Sequence, residues 1–432
     1  MLKRFVNVKE GEAGSVLLSF VYFFTLMCGY AILKPLRDEM ATAGGVKNVS
    51  WLFTATFGVM LVAVPAFSAL VARWPRQRVI PLVYRFFLLN LLGFFLVLKL
   101  DVVEREWVAR AFFVWVSVYN HFVVSIFGSF MADLFASEQG RRLFGFIAAG
   151  GTVGMLVGPF LVQHLAEPLG ATNLMLFTAV LLELSAQCVR RLSRQARAVQ
   201  PRAAVTEAPV GGGIFAGLKL LATSPFLLVL GLQTVLYTLT STFLYFQQLR
   251  LVEATANGTA ELTAMSARID LWVQVFTLVL QTVVTGRLMP RLGLAAALAI
   301  VPVFTMLGFL GLAVLPTLGM LIGFKALRGA SHYAFERPGR EVLFTSVDRE
   351  AKYKSKNFID TVVYRASDTL SAWLNTGLAG LGLGMVGLSL AAVPVAGLWL
   401  FVSVWLARLA RHPRPSAPAG TPVLASTADA AR

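Results

Sequence analysis

Read for its apolar and polar positions, the chain divides into apolar runs of about 20 residues separated by short charged stretches. Runs fall at roughly 15–40, 50–71, 79–99, 107–131, 143–166 and 172–190, and resume at roughly 224–247, 267–288, 292–314, 316–334, 356–380 and 384–408. A run of about 20 residues crosses the hydrocarbon core as an α-helix, whereas a barrel strand needs only about 10 alternating positions. The pattern predicts an all-α membrane protein of twelve transmembrane helices in two six-helix halves, residues 1–190 and 223–410. Between them, residues 191–222 hold arginines, prolines and Gly211-Gly212-Gly213, and read as a cytoplasmic linker. The tail, 411–432, is rich in Pro, Ala, Ser and Thr and is expected to be disordered.

Composition agrees: of 432 residues 57% are hydrophobic and only 14% charged, where soluble domains average about 25% charged. The net charge of +16 is read as topological, not as a nucleic-acid footprint. Lys and Arg gather on one side, at Lys3, Arg4 and Lys9, at Arg73, Arg76 and Arg78, in the linker, and at Arg408, Arg411 and Arg414. That bias puts both termini inside, and the membrane expected is a bacterial inner (plasma) membrane. The first run is too long for a signal-peptide core and reads as a retained helix. Cys28 and Cys188 lie in separate runs, so neither a disulfide framework nor a metal site is implied.

The two sets of runs repeat. Ser68-x-Leu70-x-x-Arg73-x-Pro75 after the second matches Gly286-x-Leu288-x-x-Arg291-x-Gly293 after the eighth. Leu134-Phe135-Ala136-Ser137 ends the fourth, and Leu343-Phe344-Thr345-Ser346 ends the tenth. This organisation resembles the major facilitator superfamily, which implies a midplane solute site between the halves and alternating access by rocking. Gly145, Gly154, Gly158 and Pro159 fit a spacing that resembles the fifth-helix motif of that superfamily's antiporters. Small residues at i and i+4 also serve plain helix packing.

Charge inside the apolar runs is the candidate chemistry. Lys325, Arg328, His332 and Glu336 are spaced to share one helix face. Tyr30, Lys34, Arg37 and Asp38 share a face of the first helix, beside Pro35, which frees a carbonyl one turn earlier. A cation at the centre of a spanning helix costs about 2.5–3.5 kcal/mol on insertion scales, so these groups are expected to face a cavity or a partner. Lys325 is expected to meet Asp360 or Asp368 if it is structural, and Arg85 to meet Glu183 or Asp133. Arg365 and Asp368, three apart, should satisfy one another. Asp133, Glu138, Arg141 and Arg142, with Glu341, Asp348 and Arg349, are candidate cytoplasmic latch pairs; Arg73 and Arg291 close the repeated loops. Lys352, Lys354 and Lys356 suit anionic lipid.

The nonapeptide Tyr30-x-Ile32-Leu33-Lys34-x-Leu36-Arg37-Asp38 resembles the first-helix motif of the ATP/ADP translocases of plastids and intracellular bacteria. His332-Tyr333, Pro338-x-Arg340-Glu341 and Lys352-x-Lys354-x-Lys356-x-x-x-Asp360 with Arg365 are similar to the same family's later motifs, where a lysine stands at the Arg340 position. The resemblance implies exchange of nucleotides, with Arg37 and Arg340 on the phosphates. Arginine suits that task because its planar fork donates to two phosphate oxygens at once. Where the family has acidic residues in the fourth and seventh helices, this chain has Ser117, Tyr119 and Asn120, and Thr242 and Tyr245; where it has a second lysine in the eleventh, this chain has Asp368.

The expectation is a monomeric exchanger of a nucleotide or another phosphorylated anion, without cofactor or metal. Lys34, Arg37, Lys325, Arg328, His332 and Arg340 would contact the solute, and Asp38, Asp360 and Asp368 would gate or pair. A proton-coupled drug or metabolite antiporter is the alternative, and a non-transporting receptor or assembly factor a third class. No phosphate loop, H-E-x-x-H or nucleophile elbow is present, so no enzyme is expected.

Overall fold

In the computed structural model the described residues are 12–42, 46–74, 76–135, 137–199, 220–345, 355, 356 and 358–410. They are helical almost throughout. The first six helices are α1 (Ala13–Thr42), α2 (Val49–Arg73), α3 (Arg76–Leu100), α4 (Arg105–Leu134), α5 (Ser137–Leu169) and α6 (Leu174–Val199). Then come α7 (Pro225–Thr255), α8 (Thr259–Val314), α9 (Leu318–Ser331), α10 (Arg337–Thr345), α11 (Tyr364–Gly380) and α12 (Met385–Leu409). Among the described residues, ten segments are long and apolar enough to cross a membrane. Two of them, Thr259–Val279 and Gly293–Val314, are the limbs of α8, which breaks at Gly293 (φ 71°). That φ is one a side chain would resist, and glycine adopts it freely.

Local chemistry sets several boundaries. Ser224 caps α7 by accepting from the Leu227 amide, with Pro225 in the first turn. Thr317 caps α9 by accepting from the Met320 amide. α6 continues to Val199, so the linker expected from residue 191 begins as helix; residues 200–219 and the tail from 411 lie outside the described residues. The charged stretch around Arg337 is helical too. α9 passes into α10 through a π turn, His332–Glu336, in which the Arg337 amide donates to the His332 carbonyl. A second π turn, Ile359–Val363, leads into α11. Such turns are rare and favour functional sites.

The core has two parts. One cluster, including Tyr22, Leu26, Tyr84, Phe112 and Tyr119, comes from residues 16–192 together with Ala264 and Ala267. Two others are built wholly from residues 220–410, around Trp399 and around Phe309 and Phe324. Large apolar side chains such as Val62, Phe86 and Leu89 are exposed, as a lipid-facing surface requires. A cleft of about 1460 Å³ between α2, α3 and α4, walled by Phe67, Phe86, Phe87, Phe94 and Trp115, is also apolar.

α1 lies against α5 along a stripe of glycines. A Cβ on Gly150 would sit 2.4 Å from the Phe20 carbonyl oxygen, one on Gly154 2.6 Å from that of Phe24, and one on Gly158 2.6 Å from the Ala31 Cβ. Gly154 and Gly158 thus bring two backbones into direct contact within the first six helices, while Gly145 meets open space.

The first and last six helices meet at the end where α1 finishes and α2 begins. Ser50 donates to the Ala372 carbonyl (2.8 Å), Trp373 Nε1 donates to Thr54 (3.0 Å), and the Trp51 and Trp373 rings pack edge to face. Ala41, Val49, Leu52, Phe113, Phe246, Leu249 and Ala372 fill the space beneath. This end is closed.

Candidate functional site

Just below the closed end, three helices bring charge to the seam. Lys34 of α1 forms an ion pair with Asp270 in the first limb of α8. Lys325 of α9 approaches the same carboxylate, at 3.8 Å from Oδ1, and donates to Gln248 of α7. Two lysines thus share one carboxylate that is 8% exposed, while their own side chains keep 22% and 18% of their surface. Lys325 therefore does not meet Asp360 or Asp368, the partners expected from sequence. Those two carboxylates are taken by other cations, Asp360 by Arg340 and Asp368 by Arg365.

One turn above Lys34, Arg37 donates through Nε (3.1 Å) and Nη2 (2.7 Å) to Asp38 Oδ1, which also accepts from the Tyr245 hydroxyl (2.9 Å). The guanidinium lies over the Phe113 ring at 5.1 Å and the Tyr245 ring at 5.7 Å, positions that favour a cation. Asp38 is fully buried, and its Oδ2 has no hydrogen-bond partner. On α11, Asp368 accepts from Thr242 (3.1 Å) and from Arg365 (3.5 Å). Arg365 and Asp368 thus satisfy one another as the i, i+3 spacing implies. Thr242 and Tyr245, which stand where the resembled family is acidic, serve here as donors to carboxylates from other helices.

Arg328 is 8% exposed and donates through Nε to Thr305 and through Nη2 to the Tyr237 carbonyl (3.1 Å), Ser241 (2.6 Å) and Thr240, with its guanidinium 4.7 Å from the Tyr237 ring centre. All of these partners are neutral. His332 bonds Glu336 (2.8 Å) and stacks on Tyr237 at 4.8 Å. Arg340 is not with this group. It lies two turns beyond His332 and donates to Asp360 (3.0 Å), itself 46% exposed. Arg85 meets Glu183 (2.7 Å). Arg142 of α5 meets Glu12, just before α1, at 3.1 Å. The side chains of Arg73, Glu138, Arg141, Arg291 and Glu341, and all of Asp348, Arg349, Lys352 and Lys354, lie outside the described residues; Asp133 is exposed.

An exposed pair is worth about 0.2–1 kcal/mol. Arg340→Gln is therefore expected to leave the melting temperature of the purified protein nearly unchanged. A large loss would place Arg340 in a tighter structural role.

Among the described residues, with the His332–Glu336 pair counted apart, Lys34, Arg37, Lys325 and Arg365 pair with or approach the carboxylates of Asp38, Asp270 and Asp368, and Arg328 is held by neutral groups alone. That is five cations to three anions. Sequence reasoning missed Asp270, Gln248 and Glu39, the last buried and paired with Arg105 at 3.0 Å. The signal for Asp270 is a carboxylate in the Ile269-Asp270-Leu271 stretch, where neighbouring Arg268 suggests a harmless interfacial pair; Arg268 is exposed and Asp270 buried.

No family model matches the chain, and no curated protein does. Solved structures do. The nucleoside transporter NupG superposes with a TM-score of 0.66 at 13% identity, over 92% of this chain and 99% of that one. A bacterial homologue of the iron transporter ferroportin, in an inward-facing state, gives 0.64 at 14% identity over 91% and 98%. A POT family transporter in complex with 5-aminolevulinic acid gives 0.61 at 11% identity over 92% and 96%. The chain has the fold of these membrane transporters.

Proposed function

We propose that the protein is a secondary active transporter that works by alternating access and exchanges an organic anion, with nucleotides of the ATP/ADP type or another phosphorylated metabolite as the solute class. The observation that carries this reading is the surplus of cations at the seam. A buried positive charge without a counter-ion is expensive, and an anionic solute would supply the missing charge. Lys34, Arg37 and Lys325 retain exposed surface on the seam and are the groups we assign to the solute. Arg328 and His332 are held by protein and would shape the wall. Arg340, two turns nearer the other end, would meet an anion on arrival.

In this reading 318–345 and 359–380 complete a set of twelve spans in two six-helix halves. Positive-inside charge supports a cytoplasmic position for both termini, and the membrane of this reading is a bacterial inner membrane. The closed end is then external and the conformation inward-facing.

The test is uptake of labelled ATP, ADP and sugar phosphates into proteoliposomes, with and without preloaded counter-solute. Charge-assisted hydrogen bonds are worth about 1.5–3 kcal/mol each, so Arg37→Ala and Lys34→Gln are expected to weaken apparent affinity by roughly ten-fold or more. Absence of flux with every phosphorylated solute would reject the anion reading. A second reading, a proton-coupled exporter of amphipathic compounds, is favoured by the buried Asp368 and the apolar cleft. It requires transport driven by a pH gradient, lost in Asp368→Asn and indifferent to Arg37→Ala.

A further inference from the structure

The ion pair between Lys34 and Asp270 is unusual in what it joins. Lys34 belongs to α1 and packs with the first six helices, whereas Asp270 belongs to α8 and shares its oxygens with Lys325 of α9. Among the described residues, hydrogen bonds across this seam gather at the closed end, through Ser50, Thr54, Phe53 and Tyr245 and their partners. The Lys34–Asp270 pair is the innermost of these links and the one between full opposite charges. It lies about 12 Å along α1 from Thr42, at about 1.5 Å per residue.

We propose that Asp270 is a built-in competitor for the solute: its carboxylate occupies the seat of the solute's anionic group, and the solute displaces it. This rests on the anion-exchange reading above and extends it to the charge class that is accepted. A carboxylate of charge −1 leaves the two lysines one charge short, with Lys325 at 3.8 Å, beyond hydrogen-bond distance, and leaning on the neutral amide of Gln248. A monoanionic solute would only replace one carboxylate by another. A solute carrying two negative charges on one group or on adjacent groups, such as a terminal phosphate or a pyrophosphate, satisfies both lysines and outcompetes Asp270. Displacement also cuts the innermost link across the seam, so the anion that fills the seat loosens the closed end. Selectivity for a doubly charged group and release of the external gate are then consequences of one exchange.

The test uses detergent-purified full-length protein carrying Thr376→Cys, a position in the closed end where Thr376 meets Ser50 at 2.6 Å. The native Cys28 and Cys188 are buried. Inorganic pyrophosphate is titrated by calorimetry with acetate as the monoanionic control, and labelling of the introduced thiol by a bulky maleimide is followed in parallel. In Asp270→Asn, pyrophosphate should bind about ten-fold tighter than in the parent, the size of an ordinary coupling between sites. The introduced thiol should label several-fold faster without ligand, and pyrophosphate should accelerate labelling in the parent but not in the variant. Acetate should do neither. The exchanged pair Lys34→Asp with Asp270→Lys restores the link, and should return labelling to the parent rate.

Equal or weaker binding in Asp270→Asn, unchanged labelling, or a misfolded Asp270→Asn together with an exchanged pair that labels fast, each overturns the competitor role. None of these results touches the uptake experiment. Flux of phosphorylated solutes with a negative Asp270 result leaves the transporter reading standing without the competitor. Labelling that responds to Asp270→Asn without pyrophosphate binding in either protein also rejects it.

Discussion

Asp38→Ala is expected to lower stability by about 3–5 kcal/mol and to abolish solute uptake, because it removes the partner of a buried charge. Asp38 has no exposed surface, and one of its oxygens collects two bonds from Arg37 and one from Tyr245. Without it, Arg37 is left between the Phe113 and Tyr245 rings, which attract a cation but accept no hydrogen-bond fork. Asp38→Asn should lose nearly as much, since the amide keeps the shape and not the charge. Removing both charges together, as Arg37→Met with Asp38→Asn, should recover most of the melting temperature, because a neutral pair leaves nothing uncompensated. Uptake should stay absent in the double variant. Thermal unfolding of purified protein reads the first effect, and a single variant as stable as the parent would show that water already reaches Arg37.

Gly154→Leu carries the second large effect. Its Cβ would lie 2.6 Å from the Phe24 carbonyl oxygen and 2.8 Å from the Cys28 amide nitrogen, both backbone atoms of α1. Neither can rotate away, so α1 itself must move. Overpacking usually costs about 1–3 kcal/mol, and here the displaced helix also carries Lys34, Arg37 and Asp38. Uptake should fall further than the loss of stability alone explains. Gly145→Leu is the control: nothing lies within 4 Å of its Cβ, and its melting temperature should match the parent. A Gly145 variant as damaged as the Gly154 variant would move the packing surface to another face of α5.

Much of the architecture was legible as apolar length alone. The runs at 79–99 and 384–408 agree closely with α3 (Arg76–Leu100) and α12 (Met385–Leu409), because nothing but a helix satisfies the backbone of such a run in lipid. The stretch around Arg337 was harder. Charge and Pro338 suggest a break, yet the helix continues through it, since tertiary packing overrides local preference.

The site was legible in its cations and not in their partners. Lys34, Arg37, Lys325 and Arg328 stand out because a lysine or arginine in an apolar run is rare. Pairing is a property of helix neighbours, and spacing along one helix reveals only local pairs, Arg365 with Asp368 and His332 with Glu336. Asp270 was invisible for the same reason: its partners stand on α1 and α9, remote along the chain. The repeated loops predicted which helices correspond without saying which side chains meet.

The π turn at His332–Glu336 has a consequence for what α10 can show the rest of the molecule. A π turn holds one residue more than an α turn, and one residue of an α-helix is about 100° of rotation. The direction in which Arg340 points relative to Lys325 is therefore turned by about 100° from that of an unbroken α-helix. With a second such turn at Ile359–Val363, which contains Asp360 itself, both members of the Arg340–Asp360 pair are aimed by a π turn.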